Sequence, residues 1–253
     1  MPEAGNRSAL APPEHWEAFH AARKPRLRLP SRLVVATRNL HALLRRRVRP
    51  GMRVLEIGFA PGKHLAYVAK VLGGRVTGID YSRTGVAVAC DLFRALAVEG
   101  DLRCEDIFTS TIAPGTFDLV YSVGVIEHFA DPSDLVRRHV ELLRPGGSAL
   151  ILIPNYRDLY GQIQGRLDPA NLLIHNLAIM TPATLSELAP RDLVARARVF
   201  RSGRLDPSQL SLHRRLRPAF ARCVHLLLTA LGQVQPLEIE ALCPWLALEV
   251  TRA

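Results

Sequence analysis

The sequence predicts an α/β protein with a doubly wound, mostly parallel sheet, and three observations carry that expectation. Short apolar runs near 53–57, 75–80, 101–105, 117–122 and 148–153 alternate with segments of helical period near 62–72, 84–97 and 132–143. Gly73-Gly74, Pro114-Gly115 and Pro145-Gly-Gly147 punctuate that alternation, as turns between elements require. The first run leads into a glycine turn, Val54-Leu-Glu-Ile-Gly-Phe-Ala-Pro-Gly62, and the second ends on an acid, Asp80, 18 residues beyond Gly62. Strands that read as nearly continuous apolar runs are those buried on both faces, with helices covering each side.

Each element has a local reason. Residues 1–12, rich in Ala and Pro, read as a loose leader, and Glu14 to Ala22 as a short helix carrying Trp16 and Phe19. Leu33 to Arg47 has helical spacing, with Leu33, Val34, Leu40, Leu43 and Leu44 on its apolar face, and Pro50-Gly51 ends it. Arg53 to Ile57 is a buried strand, after which Gly58 and Gly62 let the chain turn into a helix near Lys63. Asp131-Pro132 marks the start of the helix after the fourth strand. Beyond Pro154, residues 155–180 show no clean strand, and Thr181 to Leu188 reads as a capped helix. Val194 to Phe200 and Trp245 to Val250 are the last two strands, with a mostly helical stretch from Ser208 to Leu231 that Pro218 should interrupt. The expected organisation is a leader and helical cap over 1–50, then one domain over 51–253 with insertions near 155–180 and 205–240.

Composition bounds the function. A chain of 253 residues with 48% apolar residues can bury one substantial core. No run of 18 uncharged apolar residues is present, and Ser8 to Pro13 is too short for a targeting core, so the expectation is a cytoplasmic protein without transmembrane association. Cys90, Cys104, Cys223 and Cys243 are widely spaced and form no metal or redox motif; Cys90 and Cys104 are expected to be buried as small apolar residues. The formal charge of +10 concentrates in Arg23 to Arg53, which lacks Asp and Glu, and in His213 to Arg222. Such clusters attract anionic partners, but neither carries interleaved aromatics for base stacking.

The glycine turn does not fit a dinucleotide fingerprint, nor does a Lys-Ser/Thr follow it as in a phosphate loop. An acid at Glu56 would oppose a phosphate and suit a cofactor bearing an ammonium. Residues 54–62 resemble the first motif of the class I S-adenosylmethionine-dependent methyltransferases, with Ala60 where the family usually has a glycine. Asp80 stands at that family's ribose-binding acid. Glu105-Asp106-Ile107 follows the third strand, Phe117 to His128 resembles the fourth-strand motif, and Leu142-Leu-Arg-Pro-Gly-Gly147 resembles the turn before the fifth strand. The likeness runs from about Met52 to Pro154. It implies a seven-stranded sheet with a terminal antiparallel strand and the cofactor S-adenosyl-L-methionine.

The resemblance also assigns residues. Glu56, Gly58, Ala60 and Gly62 are expected around the methionine part, Asp80 on the ribose hydroxyls, and Tyr81, Asp106 and Ile107 around adenine. Tyr156, Tyr160 and Asn176 are expected on the substrate side. His175 and His128 are the candidate proton acceptors, since imidazole titrates near neutral pH; packing and capping are the alternative roles for both. No dense His/Cys/Asp cluster is visible in the spacing, so metal-independent transfer to a small organic acceptor, at oxygen before carbon or nitrogen, is the leading expectation. An RNA methyltransferase is an alternative, although the Lys-Asp-Lys-Glu set of the ribose enzymes cannot be placed and the Asn/Asp-Pro-Pro-Tyr/Phe signature is absent. A cofactor-binding protein without transfer activity is another.

Overall fold

A computed structural model describes residues 9–23, 27–31, 33–235 and 238–253. Among these residues one seven-stranded sheet runs in the order β3-β2-β1-β4-β5-β7-β6. Its strands are β1 Arg53–Ile57, β2 Arg75–Asp80, β3 Asp101–Cys104, β4 Phe117–Val123, β5 Leu143–Pro154, β6 Val194–Ser202 and β7 Trp245–Arg252. β1 to β5 pair in parallel, and β7 is inserted antiparallel between β5 and β6. The expected fold class is therefore the observed one. The reversal from β1-β2-β3 on one side to β1-β4-β5 on the other opens a crevice at the carboxyl ends of β1 and β4, where ligands of open α/β sheets bind.

Period-two alternation divides the core into two layers. Leu55 and Ile57 of β1 and Val120 of β4 face α5 (Ser133–Glu141), whose Leu135, Val136 and Val140 are buried. Val54, Leu119 and Tyr121 face the other side. There they meet α2 (Val35–Arg47), α3 (Lys63–Leu72) and α4 (Arg83–Leu96) through Leu44, Leu65 and Leu92. Each such side chain contributes roughly 1.5–3 kcal/mol on full burial, so the sheet is held firmly from both faces. The remaining helices are α1 (Pro13–Ala21), α6 (Leu159–Leu167), α7 (Pro169–Leu173), α8 (Pro182–Glu187) and α9 (Pro218–Val234).

Several expectations change. The leader is only partly described, since residues 1–8 lie outside the described set, and its remainder is not loose. Ala9 bridges to Phe129, the Leu10 amide donates to the His128 carbonyl at 2.7 Å, and Ala11 is buried. Leu33 and Val34 precede α2 and are 78% and 48% exposed, so they do not belong to its apolar face. Pro218 does not break a helix; it opens α9 at a position where a missing N–H costs nothing. Cys104 is exposed on the edge strand β3, and Cys90 is half-buried, packed against the core. The basic run is partly consumed within the fold: Arg47 turns inward and donates from Nε to Glu249 Oε1 at 2.6 Å, tying α2 to β7.

His139 on α5 is fully buried, its Nδ1 donating to the Leu135 carbonyl at 2.7 Å and its Nε2 lying 2.9 Å from Ser122 Oγ. Burial pushes its pKa down to about 4. The depressed value means that His139 contributes stability fully above its unfolded value near 6.5 and loses it as pH falls toward 4, a swing of about 3 kcal/mol. His139→Gln should lower stability at pH 7 yet reduce the loss between pH 7 and 4, as measured by urea unfolding at the two pH values. An unchanged pH dependence contradicts the neutral, buried assignment.

Candidate functional site

The crevice is organised by Asp80, the last residue of β2. Its Oδ2 accepts from the Ala60 amide at 3.1 Å and its Oδ1 from the Ser82 amide at 2.9 Å. One carboxylate thus ties the β1–α3 loop to the β2–α4 turn and retains lone pairs for hydroxyl donors. Burial raises its pKa, against the hydrogen bonds from Ser82 and Ala60. The loop itself needs glycine. Gly58 and Gly62 have φ of +71° and +82°. A Cβ on Gly58 would also lie 2.5 Å from Val125 Cγ2. The methyl of Ala60 finds room because position 85 is glycine, where a Cβ would come within 2.6 Å of it.

The residues expected around adenine lie near Asp80 in the chain's next turns. Tyr81 is 40% exposed beside Asp80, and burial raises its hydroxyl pKa, followed by the charges of Asp80 and Asp106. Asp106 Oδ1 accepts from the Phe108 amide at 2.9 Å, and Ile107 is buried. Glu56 sits deeper. It pairs across the sheet with Tyr121, whose hydroxyl donates to Glu56 Oε2 at 2.7 Å. Burial pushes this carboxyl up to about 8, so at neutral pH it is largely the uncharged acid; a cation placed beside it would draw the value down.

The helix α1, within the leader and cap expected over residues 1–50, covers this edge. Glu17 accepts from the amides of Arg83 at 2.6 Å and Thr84 at 3.1 Å, capping the free N–H groups of α4. Hydrogen bonding, led by the Thr84 side chain, holds Glu17 below its ordinary pKa. His20 is buried against Gly85 and lies within electrostatic reach of Asp80. The Trp16 ring meets His128 edge-on at 4.8 Å between centroids.

On the acceptor side, Glu127, His128 and His175 converge although 47 residues separate the two histidines. Their ring centroids are 4.6 Å apart. His128 Nδ1 donates to the Ile174 carbonyl and His175 Nδ1 to the Asn171 carbonyl, both at 2.7 Å. A carbonyl can only accept, so these bonds fix the tautomer and leave each Nε2 with its lone pair. Burial takes the His128 pKa down to about 4, which makes it a weak proton acceptor, and lowers His175 as well. Glu127, which the sequence reading treated as generic to the motif, is fully buried, and neither carboxylate oxygen has a hydrogen-bond partner.

The substrate-side expectations divide. Tyr156 packs its ring against His175, with centroids 5.2 Å apart, while its buried hydroxyl donates to the Gln209 carbonyl at 3.1 Å. Tyr160 turns into the core instead: it is 2% exposed, accepting from the Asp206 amide and donating to the Leu242 carbonyl. Asn176 is a staple rather than a substrate ligand. Its side-chain nitrogen donates to the carbonyls of Phe129 and Ala130, and its own amide to that of Glu127 at 2.6 Å. Both reassignments follow from polar groups that backbone partners already satisfy.

Comparison with known proteins bears on the domain and the fold. Residues 55–151 match a methyltransferase domain family. A phosphoethanolamine N-methyltransferase of Triticum aestivum is 36% identical over 41% of this chain and 21% of its own length. A ubiquinone biosynthesis O-methyltransferase of Albidiferax ferrireducens is 35% identical over 38% of this chain and 39% of its own. The chain thus spans well under half of these curated relatives. A Haemonchus contortus phosphoethanolamine N-methyltransferase 2, solved with phosphomonomethylethanolamine and S-adenosylhomocysteine, shares the fold at a TM-score of 0.57 and 18% identity, covering 84% of this chain and 51% of that one. Residues 55–151 are therefore a methyltransferase domain, set in a seven-stranded fold shared with an S-adenosylmethionine-dependent methyltransferase.

Proposed function

We propose that this protein binds S-adenosyl-L-methionine at the Asp80 edge and methylates a small organic acceptor, at an oxygen, in the cytoplasm. The observation that carries the reading is the shared wall between two half-sites. Val125 packs on Gly58 of the cofactor loop, and two residues later Glu127 opens the imidazole–carboxylate cluster. The residues fit the cofactor: Asp80 offers acceptor lone pairs to a ribose diol, Tyr81 an exposed ring to adenine, and Asp106 an acceptor to an amine. When bound, the cofactor supplies an electrophilic methyl group on a sulfonium.

The chain's own part is alignment, exclusion of water and handling of the acceptor proton. Positioning supplies much of the rate in such a transfer. Trp16 and Tyr156 flank the two histidines and limit water there. The insertions near 155–180 and 205–240 build the acceptor side, since His175 and Tyr156 come from the first. An oxygen acceptor must lose its O–H proton, and the uncommitted Nε2 of His175 supports a role for that residue in handling it. Free Cys90, Cys104, Cys223 and Cys243 suit a reducing compartment, and among the described residues no helix is long and apolar enough to cross a membrane.

Isothermal titration calorimetry should show saturable binding of S-adenosylmethionine and S-adenosylhomocysteine. Asp80→Ala should weaken both by roughly 5- to 150-fold, the loss of two hydrogen bonds of about 0.5–1.5 kcal/mol each; a folded chain that binds neither ligand rejects the reading. His175→Ala should slow single-turnover transfer while cofactor affinity stays near wild type. The acceptor can be found by incubating isotope-labelled methyl donor with a metabolite extract. Label entering RNA alone would favour the nucleic-acid alternative, and cofactor binding without transfer to any validated acceptor would favour the non-catalytic one.

A further inference from the structure

We propose that Glu127, His128 and His175 form a divalent-cation site of the zinc type that receives the acceptor through a hydroxyl oxygen. Two imidazoles and one carboxylate with coordination positions to spare are a donor set suited to a catalytic zinc. One donor atom from each residue lies within 4.8 Å of the other two, and His128 Nε2 is 3.9 Å from Glu127 Oε1. Zinc bonds of about 2.0–2.2 Å require donors roughly 3.3 Å apart in a tetrahedral site, so the cluster closes by about an ångström or so on binding.

Three independent features point to a ligand. The first is Glu127: 0% exposed, with both carboxylate oxygens unpartnered. Burying such a group unpaired is costly, and a cation relieves that cost. The second is the outer shell. Both histidines donate Nδ1–H to a backbone carbonyl, which is how metal-bound imidazoles are commonly oriented with Nε2 presented to the ion. The third is support. Asn176 fastens the His175 segment onto the Glu127 turn, and the rings of Trp16 and Tyr156 enclose the histidines. Nothing in the chain spacing displays this set, because His175 is brought back by the turn after α7.

The role in turnover rests on the methyl-transfer reading; binding of the ion does not. A cation held by these three side chains would weaken the O–H bond of an acceptor hydroxyl, so that its proton would leave to a base from solvent while the ion offset the charge left on oxygen. His175 then acts as ligand, and proton removal no longer requires an imidazole whose pKa burial has lowered.

The test uses the full chain, stripped with chelator and titrated with zinc sulfate alone in the absence of methyl donor. One zinc per chain is expected. Glu127→Gln and His175→Ala should each weaken binding by more than the roughly 10–100-fold that losing an outer-shell partner costs. His213→Ala, on an exposed residue outside the cluster, should bind as wild type. Cobalt(II) added to the wild-type chain gives a second readout that needs no variant to fold: visible ligand-field bands without a thiolate charge-transfer band. No zinc binding by the wild-type chain, binding that survives both cluster variants, or a thiolate band from the free cysteines overturns the site. S-adenosylhomocysteine titration of the same stripped protein separates failure of the metal site from failure of the methyltransferase reading.

Discussion

The two hydrogen bonds that Asp80 accepts from Ala60 and Ser82 are the constraint on which the cofactor edge depends. They link the turn after β1 to the turn after β2, so the glycine loop and the first turn of α4 cannot move independently. Around that link the local demands agree. Gly58 yields to Val125, Gly85 yields to the Ala60 methyl, and Ser82 caps α4 by accepting from the Gly85 amide at 3.0 Å. Loss of any one of these would shift the carboxylate relative to the loop.

The second organising feature is the N-terminal segment. It contributes Glu17 to the start of α4, His20 beside Asp80, Trp16 against His128 and a strand bridge from Ala9 to Phe129. One short helix therefore touches both the Asp80 edge and the Glu127–His128–His175 cluster. Its own packing is modest, because His20 is its one buried residue. Its position is fixed by the Glu17 hydrogen bonds to the start of α4 and by the Trp16 ring against His128.

The sequence revealed what periodicity encodes. The bounds of β1 and β2 were legible from apolar runs ending in Gly58 and Asp80, and both strands occupy those residues. Asp80 stood out as the acid closing the second apolar run, and it is the last residue of β2. What remained hidden depends on the path of irregular chain. Residues 155–180 carry no strand pattern, so nothing showed that His175 returns to His128, that Tyr160 turns into the core, or that Asn176 closes on backbone carbonyls. Glu127 was visible as a residue, but its isolation is a property of packing. Cys104 was misplaced because a strand of four residues at a sheet edge buries one side less than its composition suggests.

The central claim is that the crevice between the β1–α3 loop and the β2–α4 turn, roofed by α1, is where S-adenosylmethionine binds. Amide hydrogen exchange with and without S-adenosylhomocysteine tests this most directly. The account predicts slowed exchange confined to residues 58–62, 80–85 and the α1 segment, with β6 and α9 unaffected. Saturating ligand that leaves those three segments unchanged, or protects the arginine-rich face of α2 instead, would contradict it.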